Sequence, residues 1–347
     1  MWESFMRNIK AAFLATTFLA SAISGASADV KVVTSIKPVH SLVSAVMQGI
    51  GKPVLLVEGA GSPHTYSLKP SQAKELQAAN IVFWMSHDLE AFLENSIENI
   101  AKNAKSVSLM DSHGLIKLNF REGGAFDDHD HDKHDDHDDH DHDKHDDHDE
   151  HGHDKHDDHD DHGHDKHDDH DDHGHGEVDP HTWLDPQNAQ SFVHEIEEHL
   201  AEIDPKNAKR YSANASSLMK KLESLTQEIN DDLKPVRGRG YVVFHDAYQY
   251  FEKRFGVSAI GSITVSPEVM PGAERMTELR EKVKSLDATC VFSEPQFEPK
   301  LVATVIENTN AGSGVLDPLG ASIKEGPELY FTLIRNLAKS LKDCLLK

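Results

Sequence analysis

Two kinds of apolar pattern alternate along the first part of the chain. Short runs are rich in β-branched residues, and longer stretches carry apolar residues at spacings of three and four. The short runs predict strands, and the longer stretches predict amphipathic helices of about ten residues. The predicted strands lie at residues 30–36, 54–57, 81–85 and 107–110, and the helices begin at Pro38, Pro70 and Glu90. Strands that alternate with helices indicate βαβ units and a parallel sheet. A first α/β lobe is therefore expected within residues 29–185.

The same alternation returns in the last third of the chain. Strands are expected at residues 241–244, 258–263, 289–293 and 314–316, each followed by a helical stretch. This pattern predicts a second α/β lobe within residues 236–347.

The intervening residues, 186–235, are helical in character almost throughout, with one break at Asp204-Pro205. Asp185-Pro186 before them is a helix-start signal. A helix of about 25 residues spans nearly 40 Å, which is long enough to connect two lobes. The predicted fold class is α/β: two lobes with mainly parallel sheets, joined by one long backbone helix. A cleft is expected between the carboxyl ends of their strands, where open α/β sheets bind ligands.

An insertion at residues 127–175 interrupts the first lobe and consists almost entirely of His, Asp and Lys. It holds 18 of the 26 histidines, and its 24 acidic residues and four lysines give it a formal charge of −20. Because it offers no apolar face to bury, it is predicted to be a solvated, disordered loop. Neutral imidazoles bind Zn²⁺, Ni²⁺, Cu²⁺ or Co²⁺, and carboxylates raise the local cation concentration. The insertion is therefore predicted to capture metal loosely, and an acidic spacer that serves only solubility is the alternative.

The rest of the chain carries only −5 of the total formal charge of −25 and has no Lys/Arg stripe. A basic nucleic-acid-binding surface is therefore not expected. At the N-terminus, Arg7 and Lys10 precede an apolar run that ends before Ala26-Ser27-Ala28. This arrangement predicts a signal peptide at residues 1–28, since the run is shorter than the ~20 residues that a membrane span needs. The mature protein, beginning at Asp29, is expected to be exported and soluble, in a Gram-negative periplasm.

The chain has two cysteines, Cys290 and Cys344. In an oxidising compartment an isolated pair favours a disulfide, which would stabilise the fold by roughly 4 kcal/mol in the chain-entropy description. A metal site that uses a cysteine is the alternative.

Three of the eight histidines outside the insertion occupy matching positions at the ends of predicted strands or loops. His64 lies in the loop GSPHTY, His181 lies between two proline turns in DPHTWLDP, and His245 ends the strand YVVF. Each alone is more often a packed or surface histidine. Together, three imidazoles and one more donor make a normal tetrahedral zinc set. Three further histidines are expected to be capping or surface residues: His40, His87 and His113.

The order of several short motifs resembles one family. A signal peptide is followed by GSPHTYSLKPS, DPHTWLDP, VVFHDAYQYF, SPEVMPGAERM, FSEPQF and VLDPLG. This order resembles the cluster-A solute-binding proteins of ABC importers. The acidic, His-rich insertion before DPHTWLDP is similar to the zinc-uptake subgroup, of the ZnuA type. The resemblance covers essentially the whole mature chain.

The resemblance implies a metal site in the interlobe cleft, with His64, His181 and His245 as zinc ligands. Asp317 in VLDPLG matches a carboxylate ligand of the family; water is the other candidate for the fourth ligand, and a turn or capping role is the alternative for Asp317. Pro63 stands where some zinc members carry a glutamate. Cys290 and Cys344 match the disulfide of the zinc subgroup.

The implied function is that of a periplasmic solute-binding protein, not an enzyme, which captures Zn²⁺ as its transported ligand. It would deliver the ion to the inner-membrane ABC permease of a zinc importer. A monomer is expected, with a small periplasmic metal chaperone as an optional further partner. The alternatives are a manganese or other divalent-metal member of the family, a standalone metal buffer, and a secreted zinc hydrolase. Manganese members usually carry a carboxylate where this chain has His245, which favours zinc.

Overall fold

The computed structural model describes residues 30–121, 126, 178–264, 272–285, 289–297 and 300–347. The predicted signal peptide and the predicted disordered insertion lie outside the described residues. Within the described part, no helix is long and apolar enough to cross a bilayer.

The N-terminal lobe is built on a four-stranded parallel sheet with the order β2-β1-β3-β4. Its strands are β1 (Val32–Thr34), β2 (Val54–Leu55), β3 (Ile81–Trp84) and β4 (Lys105–Ser108). Its helices are α1 (Lys37–Val46), α2 (Pro70–Gln77) and α3 (Ala91–Ile100). β3 is buried along its whole length, as expected for a central strand covered on both faces.

Two helices, α4 (Pro186–Ile203) and α5 (Ala208–Leu233), connect the lobes. Asp185 caps α4, because its carboxylate accepts a hydrogen bond from the backbone N–H of Gln187. The predicted break follows, where Asp204 accepts hydrogen bonds from Asn207 and Tyr211. α5 buries a stripe at helical spacing: Tyr211, Ala215, Leu218, Leu222, Leu225, Ile229 and Leu233. It packs against α1 of the first lobe and against the C-terminal helix of the second lobe, so it is the predicted backbone helix.

The C-terminal lobe repeats the topology of the first lobe, with a parallel sheet in the order β6-β5-β7-β8. The strands are β5 (Tyr241–His245), β6 (Ala259–Thr264), β7 (Cys290–Ser293) and β8 (Gly312–Val315). The helices are α6 (Gln249–Phe255), α7 (Ala273–Ser285), α8 (Lys300–Ile306) and α9 (Leu329–Leu345). The α/β prediction of two parallel-sheet lobes is confirmed.

β1 is two residues shorter at each end than predicted, β2 ends two residues earlier, and β4 and β8 each begin two residues earlier than expected. The early residues of β8 are Gly312 and Ser313, and a glycine carries no strand signal. A Cβ on Gly314 would lie 2.5 Å from the Phe292 ring, and one on Gly312 would lie 3.3 Å from the sulfur of Cys344. Close packing on β7 therefore requires glycine where a β-branched residue would have marked the strand.

Cys290 and Cys344 form a disulfide that joins β7 to α9. The alternative of a cysteine metal site is thereby excluded, because both thiols are used.

Buried hydrogen bonds fix the two lobes to each other. Lys37 at the start of α1 donates to the carbonyl oxygens of Ala321 and Ile323, at 3.0 and 2.8 Å. The indole N–H of Trp183 donates to Pro318 O at 2.9 Å, and the hydroxyl of Tyr330 donates to Trp183 O at 2.7 Å. One cluster of buried apolar side chains also runs through both lobes along α5. These contacts hold the lobes together around the cleft.

Candidate metal centre

Three imidazoles from three separate elements converge in the cleft between the lobes. His64 lies in a 3-10 turn at Pro63–Thr65, His181 lies just before the 3-10 turn at Thr182–Leu184, and His245 ends β5. One ligand nitrogen from each ring lies within 4.8 Å of the others. Among the described His, Cys, Asp and Glu residues, these three form the group that could hold a metal ion. The structure thus brings together the three predicted histidines.

Asp179 holds the ring of His181. The Nδ1 atom of His181 lies 2.6 Å from Asp179 Oδ1, and the same oxygen accepts the His181 backbone N–H at 2.9 Å. The second oxygen of Asp179 accepts from Gln249 Nε2 at 2.6 Å. Because a carboxylate only accepts hydrogen bonds, the Nδ1 atom of His181 carries the proton. The Nε2 atom therefore keeps its lone pair and is the atom that can bind a metal.

Glu294 orients the ring of His245 in the same way as Asp179 orients that of His181. Its Oε1 lies 2.7 Å from His245 Nδ1, and both residues are buried. His245 ends β5 and Glu294 follows β7, the adjacent strand of the sheet. They therefore lie at the carboxyl ends of neighbouring parallel strands, at the position where the strand order reverses. A carboxylate behind each imidazole is the usual outer shell of a zinc-binding histidine.

The two oriented Nε2 atoms, of His181 and His245, are 3.4 Å apart. Two nitrogens bound to one tetrahedral zinc at the usual bond length are about 3.3 Å apart. Two lone pairs at this separation repel each other unless a proton or a cation lies between them. The spacing therefore fits a small tetrahedral cation without rearrangement of either ring.

The electrostatic surroundings of the histidines differ. Burial, which disfavours the charged form, and the neighbouring rings of His181 and His245 lower the pKa of His64 to about 2. Burial also opposes the charged form of His245. There, however, the carboxylates, Glu294 foremost, outweigh burial and raise the pKa of His245 above its ordinary value. His64 is thus held as a neutral donor, whereas His245 binds a proton more readily than a free imidazole.

Apolar side chains enclose the three rings. The ring centroid of Trp183 lies 5.2 Å from that of His181, and the centroid of Phe297 lies 5.7 Å from that of His245. The remaining lining includes Ser62, Pro63, Gln296, Pro318 and Leu319. These side chains limit the access of water, which strengthens the binding of a charged ligand by the nitrogen donors.

Asp317 does not join the three histidines in this structure. Its oxygens accept hydrogen bonds from the backbone N–H groups of Leu319, Gly320 and Ala321, at 3.2, 2.9 and 2.6 Å. Gln296 Nε2 also donates to it at 3.3 Å. This is the geometry of a residue that caps a turn.

The expectation that His40 is a surface or capping residue is wrong. His40 is buried, with Nε2 3.3 Å from Pro53 O. The reason is a long-range contact, because the ring of His40 on α1 lies against Pro53, which directly precedes β2. His87 and His113 are exposed, as expected.

The sequence predicted no role for Asp179, Glu294 or Gln249. A signal existed for Asp179, since it stands two residues before His181 in DPHTWLDP. Glu294 stands in the motif FSEPQF, but 49 residues separate it from His245, so their pairing becomes visible only when the ends of β5 and β7 are placed side by side.

Comparisons with known proteins agree with this geometry. The family described as ZnuA, zinc-uptake complex component A, periplasmic, matches residues 32–344. The chain is 56% identical over 344 residues to the high-affinity zinc uptake system protein ZnuA of Brucella suis biovar 1 (strain 1330), covering 99% of this chain and 100% of that protein. It is 36% identical over 349 residues to the protein of the same name from Yersinia pestis, covering 97% and 98% of the two chains.

Solved structures share the fold. A crystal structure of ZnuA superposes with a TM-score of 0.68 at 22% identity, covering 91% of this chain and 99% of that one. A mutant structure of the laminin-binding adhesin Lmb from Streptococcus agalactiae superposes with the same TM-score at 24% identity, covering 91% and 99%.

Proposed function

This chain belongs to the ZnuA family of periplasmic zinc-uptake components, and from that premise we propose that it captures Zn²⁺ in the interlobe cleft and delivers it to an ABC-type zinc importer. The observation that carries the proposal is the pair of oriented Nε2 atoms of His181 and His245, 3.4 Å apart, with His64 beside them.

The proposed ligands are His64, His181 and His245. Neutral imidazole nitrogens suit zinc, whereas manganese prefers oxygen donors, so the set favours zinc over manganese. A water molecule is proposed as the fourth ligand. Asp317 would take that place only by leaving the backbone N–H groups that it now accepts from.

The proposed location is the periplasm, reached by means of the predicted signal peptide at residues 1–28. The partner is the inner-membrane permease of the zinc importer, which the family's place in a zinc-uptake complex implies. We propose that the protein acts as a monomer, and that a small periplasmic metal chaperone is an optional partner. The role is that of a solute-binding component rather than of an enzyme.

For the insertion at residues 127–175 we propose capture and buffering of metal. Its 18 histidines offer many weak sites, and its negative charge raises the cation concentration near the cleft. Weak sites release metal readily, so the insertion can supply the tighter cleft site.

The test is a competitive titration of the mature protein against a chromophoric chelator, with Zn²⁺ and with Mn²⁺. We expect one tight zinc equivalent and much weaker binding of manganese. His181→Ala should remove the tight equivalent, and His113→Ala, at an exposed histidine, should leave it unchanged. Equal affinity of wild type and His181→Ala for the first zinc equivalent would contradict the proposed site.

A further inference from the structure

Two short segments that flank residues 127–177 meet beside the metal position. We call residues 116–121 together with residues 178–179 the stem. Asn119 and Val178 pair as an isolated antiparallel bridge, and Asp179 N donates to Leu118 O at 2.9 Å. The segments before and after the insertion thus pair with each other.

The stem is attached to helix α6 of the C-terminal lobe. Tyr250 accepts from Leu118 N at 2.9 Å through its hydroxyl, which also donates to Asp179 O at 2.8 Å. The amide of Gln249 donates both to Asn119 O at 3.1 Å and to the carboxylate of Asp179 at 2.6 Å. The carboxylate that orients His181 is therefore fixed by the same side chain that fixes the opposite strand of the stem.

Arg121 makes the second attachment, next to the other oriented histidine. Its guanidinium donates from Nε to both oxygens of Asp246, at 2.9 and 3.1 Å, and from Nη2 to Oδ1 of the same carboxylate. Its Nη1 donates to Glu252 Oε2 at 2.8 Å. Asp246 immediately follows the ligand His245 in the chain.

The guanidinium of Arg121 is the cation that pairs with both Asp246 and Glu252. Asp246 and Glu252 are each 4% exposed, and within the described residues their salt bridges go to Arg121. A buried carboxylate is tolerated when it is paired and hydrogen-bonded, and the planar fork of arginine can serve two carboxylates at once. Without Arg121, two buried carboxylates would lose their cation, and one of them, Asp246, directly follows His245 in the chain.

We propose that Arg121 is a positioning residue of the zinc site, which slows metal release by pinning the backbone after His245 to the stem. The inference rests on the proposed function. Gln249 and Arg121 tie the neighbours of two ligands, His181 and His245, to the same short stem. Metal affinity depends on ligand positions that are held to about 0.5 Å, so the 3.4 Å separation of the two nitrogens requires such support.

The experiment measures zinc release from the full mature protein, loaded with half an equivalent of Zn²⁺ so that the tightest site fills first. Excess chromophoric chelator then reports the release rate. Wild type is compared with Arg121→Gln, with Arg121→Lys, and with Lys117→Gln, which alters an exposed lysine of the same stem. Half-equivalent Co²⁺ loading and its visible absorption report ligand geometry, and thermal unfolding reports stability.

The expected result is about tenfold faster release from Arg121→Gln, the lower end of the range for outer-shell changes at metal sites. A weaker cobalt absorption should accompany it. Arg121→Lys should be intermediate, because lysine keeps the charge but lacks the fork, and Lys117→Gln should match wild type. If Arg121→Gln does not fold, the same ordering is tested between Arg121→Lys and wild type.

A lowered unfolding temperature with an unchanged release rate and cobalt spectrum would overturn the inference, since Arg121 would then serve stability alone. The His181→Ala variant distinguishes failure of this inference from failure of the proposed function. If wild type and His181→Ala release zinc at the same rate, the cleft is not the site, and the proposed function falls together with the inference.

Discussion

Single carboxylates decide which nitrogen of each histidine faces the metal position. Asp179 and Glu294 accept from the Nδ1 atoms of His181 and His245, so both Nε2 atoms point at each other. Outer-shell acceptors of this kind fix the tautomer and ring orientation and increase the basicity of the ligand.

Glu294→Gln is therefore expected to weaken zinc binding by about 10- to 100-fold. Glutamine keeps the size of the side chain but loses the charge that holds the Nδ1 proton. The measurement is the zinc dissociation constant by chelator competition, with the exposed Glu307→Gln as the control. Unchanged affinity in Glu294→Gln would contradict the expectation that the negative charge behind His245 supports zinc binding.

Zinc affinity is expected to fall as the pH is lowered. The fall should begin at a pH above the ordinary pKa of histidine. Protons compete with zinc only at a nitrogen that can be protonated. His64, with a pKa of about 2, contributes little, whereas the raised pKa of His245 places its protonation at higher pH. A dissociation constant measured from pH 8 to pH 5 should rise steadily, and Glu294→Gln should shift the onset to lower pH. A flat profile would contradict the histidine ligands.

From the sequence, the three candidate ligands could be predicted, but the residues that orient them could not. His64, His181 and His245 stood in distinctive Pro-rich or strand-end motifs. The role of Asp317 could not be settled from VLDPLG, because a ligand and a turn-capping residue share the same local signal. Glu294 and Gln249 reach their partners only through tertiary contacts.

The two sheets share one topology, and in the C-terminal lobe this topology brings a candidate ligand next to the carboxylate that orients it. In both lobes the first strand in the sequence lies next to the third strand, so the strand order reverses between them. In the C-terminal lobe these strands, β5 and β7, bring His245 and Glu294 together. Periodicity predicted these strands well, since they are β-branched or aromatic and buried. It placed β8 less well, because glycines occupy the positions where β8 packs on β7.

The disulfide between β7 and α9 is expected to stabilise the fold without serving the metal site. Cys290 begins β7, and Glu294 follows its other end. Replacing both cysteines by alanine should lower the free energy of unfolding by about 4 kcal/mol, since the bond closes a long loop in the unfolded chain. Urea unfolding would measure this loss, and the zinc affinity of the folded variant should stay within twofold. Loss of zinc binding by the folded variant would contradict the separation of the two roles.

The whole molecule is a pair of lobes with a cleft between them. α5 joins their cores, and buried bonds from Lys37, Trp183 and Tyr330 cross between them. The sequence predicted two lobes and a cleft, because strands alternate with helices on both sides of one long helical segment. It did not predict that the stem of the insertion, which belongs to the first lobe by sequence, would attach to α6 of the second. That attachment depends on long-range contacts with Tyr250, Gln249 and Asp246.

The tight zinc site is proposed to be the cleft and not the His-rich insertion. The most direct measurement is a competitive zinc titration of protein from which residues 127–175 have been deleted, beside the full mature chain. One tight zinc equivalent should remain in the deletion variant, and His64→Ala in that background should remove it. Loss of all tight binding on deletion would contradict the account, because the insertion would then be the metal site and the three histidines of the cleft would not.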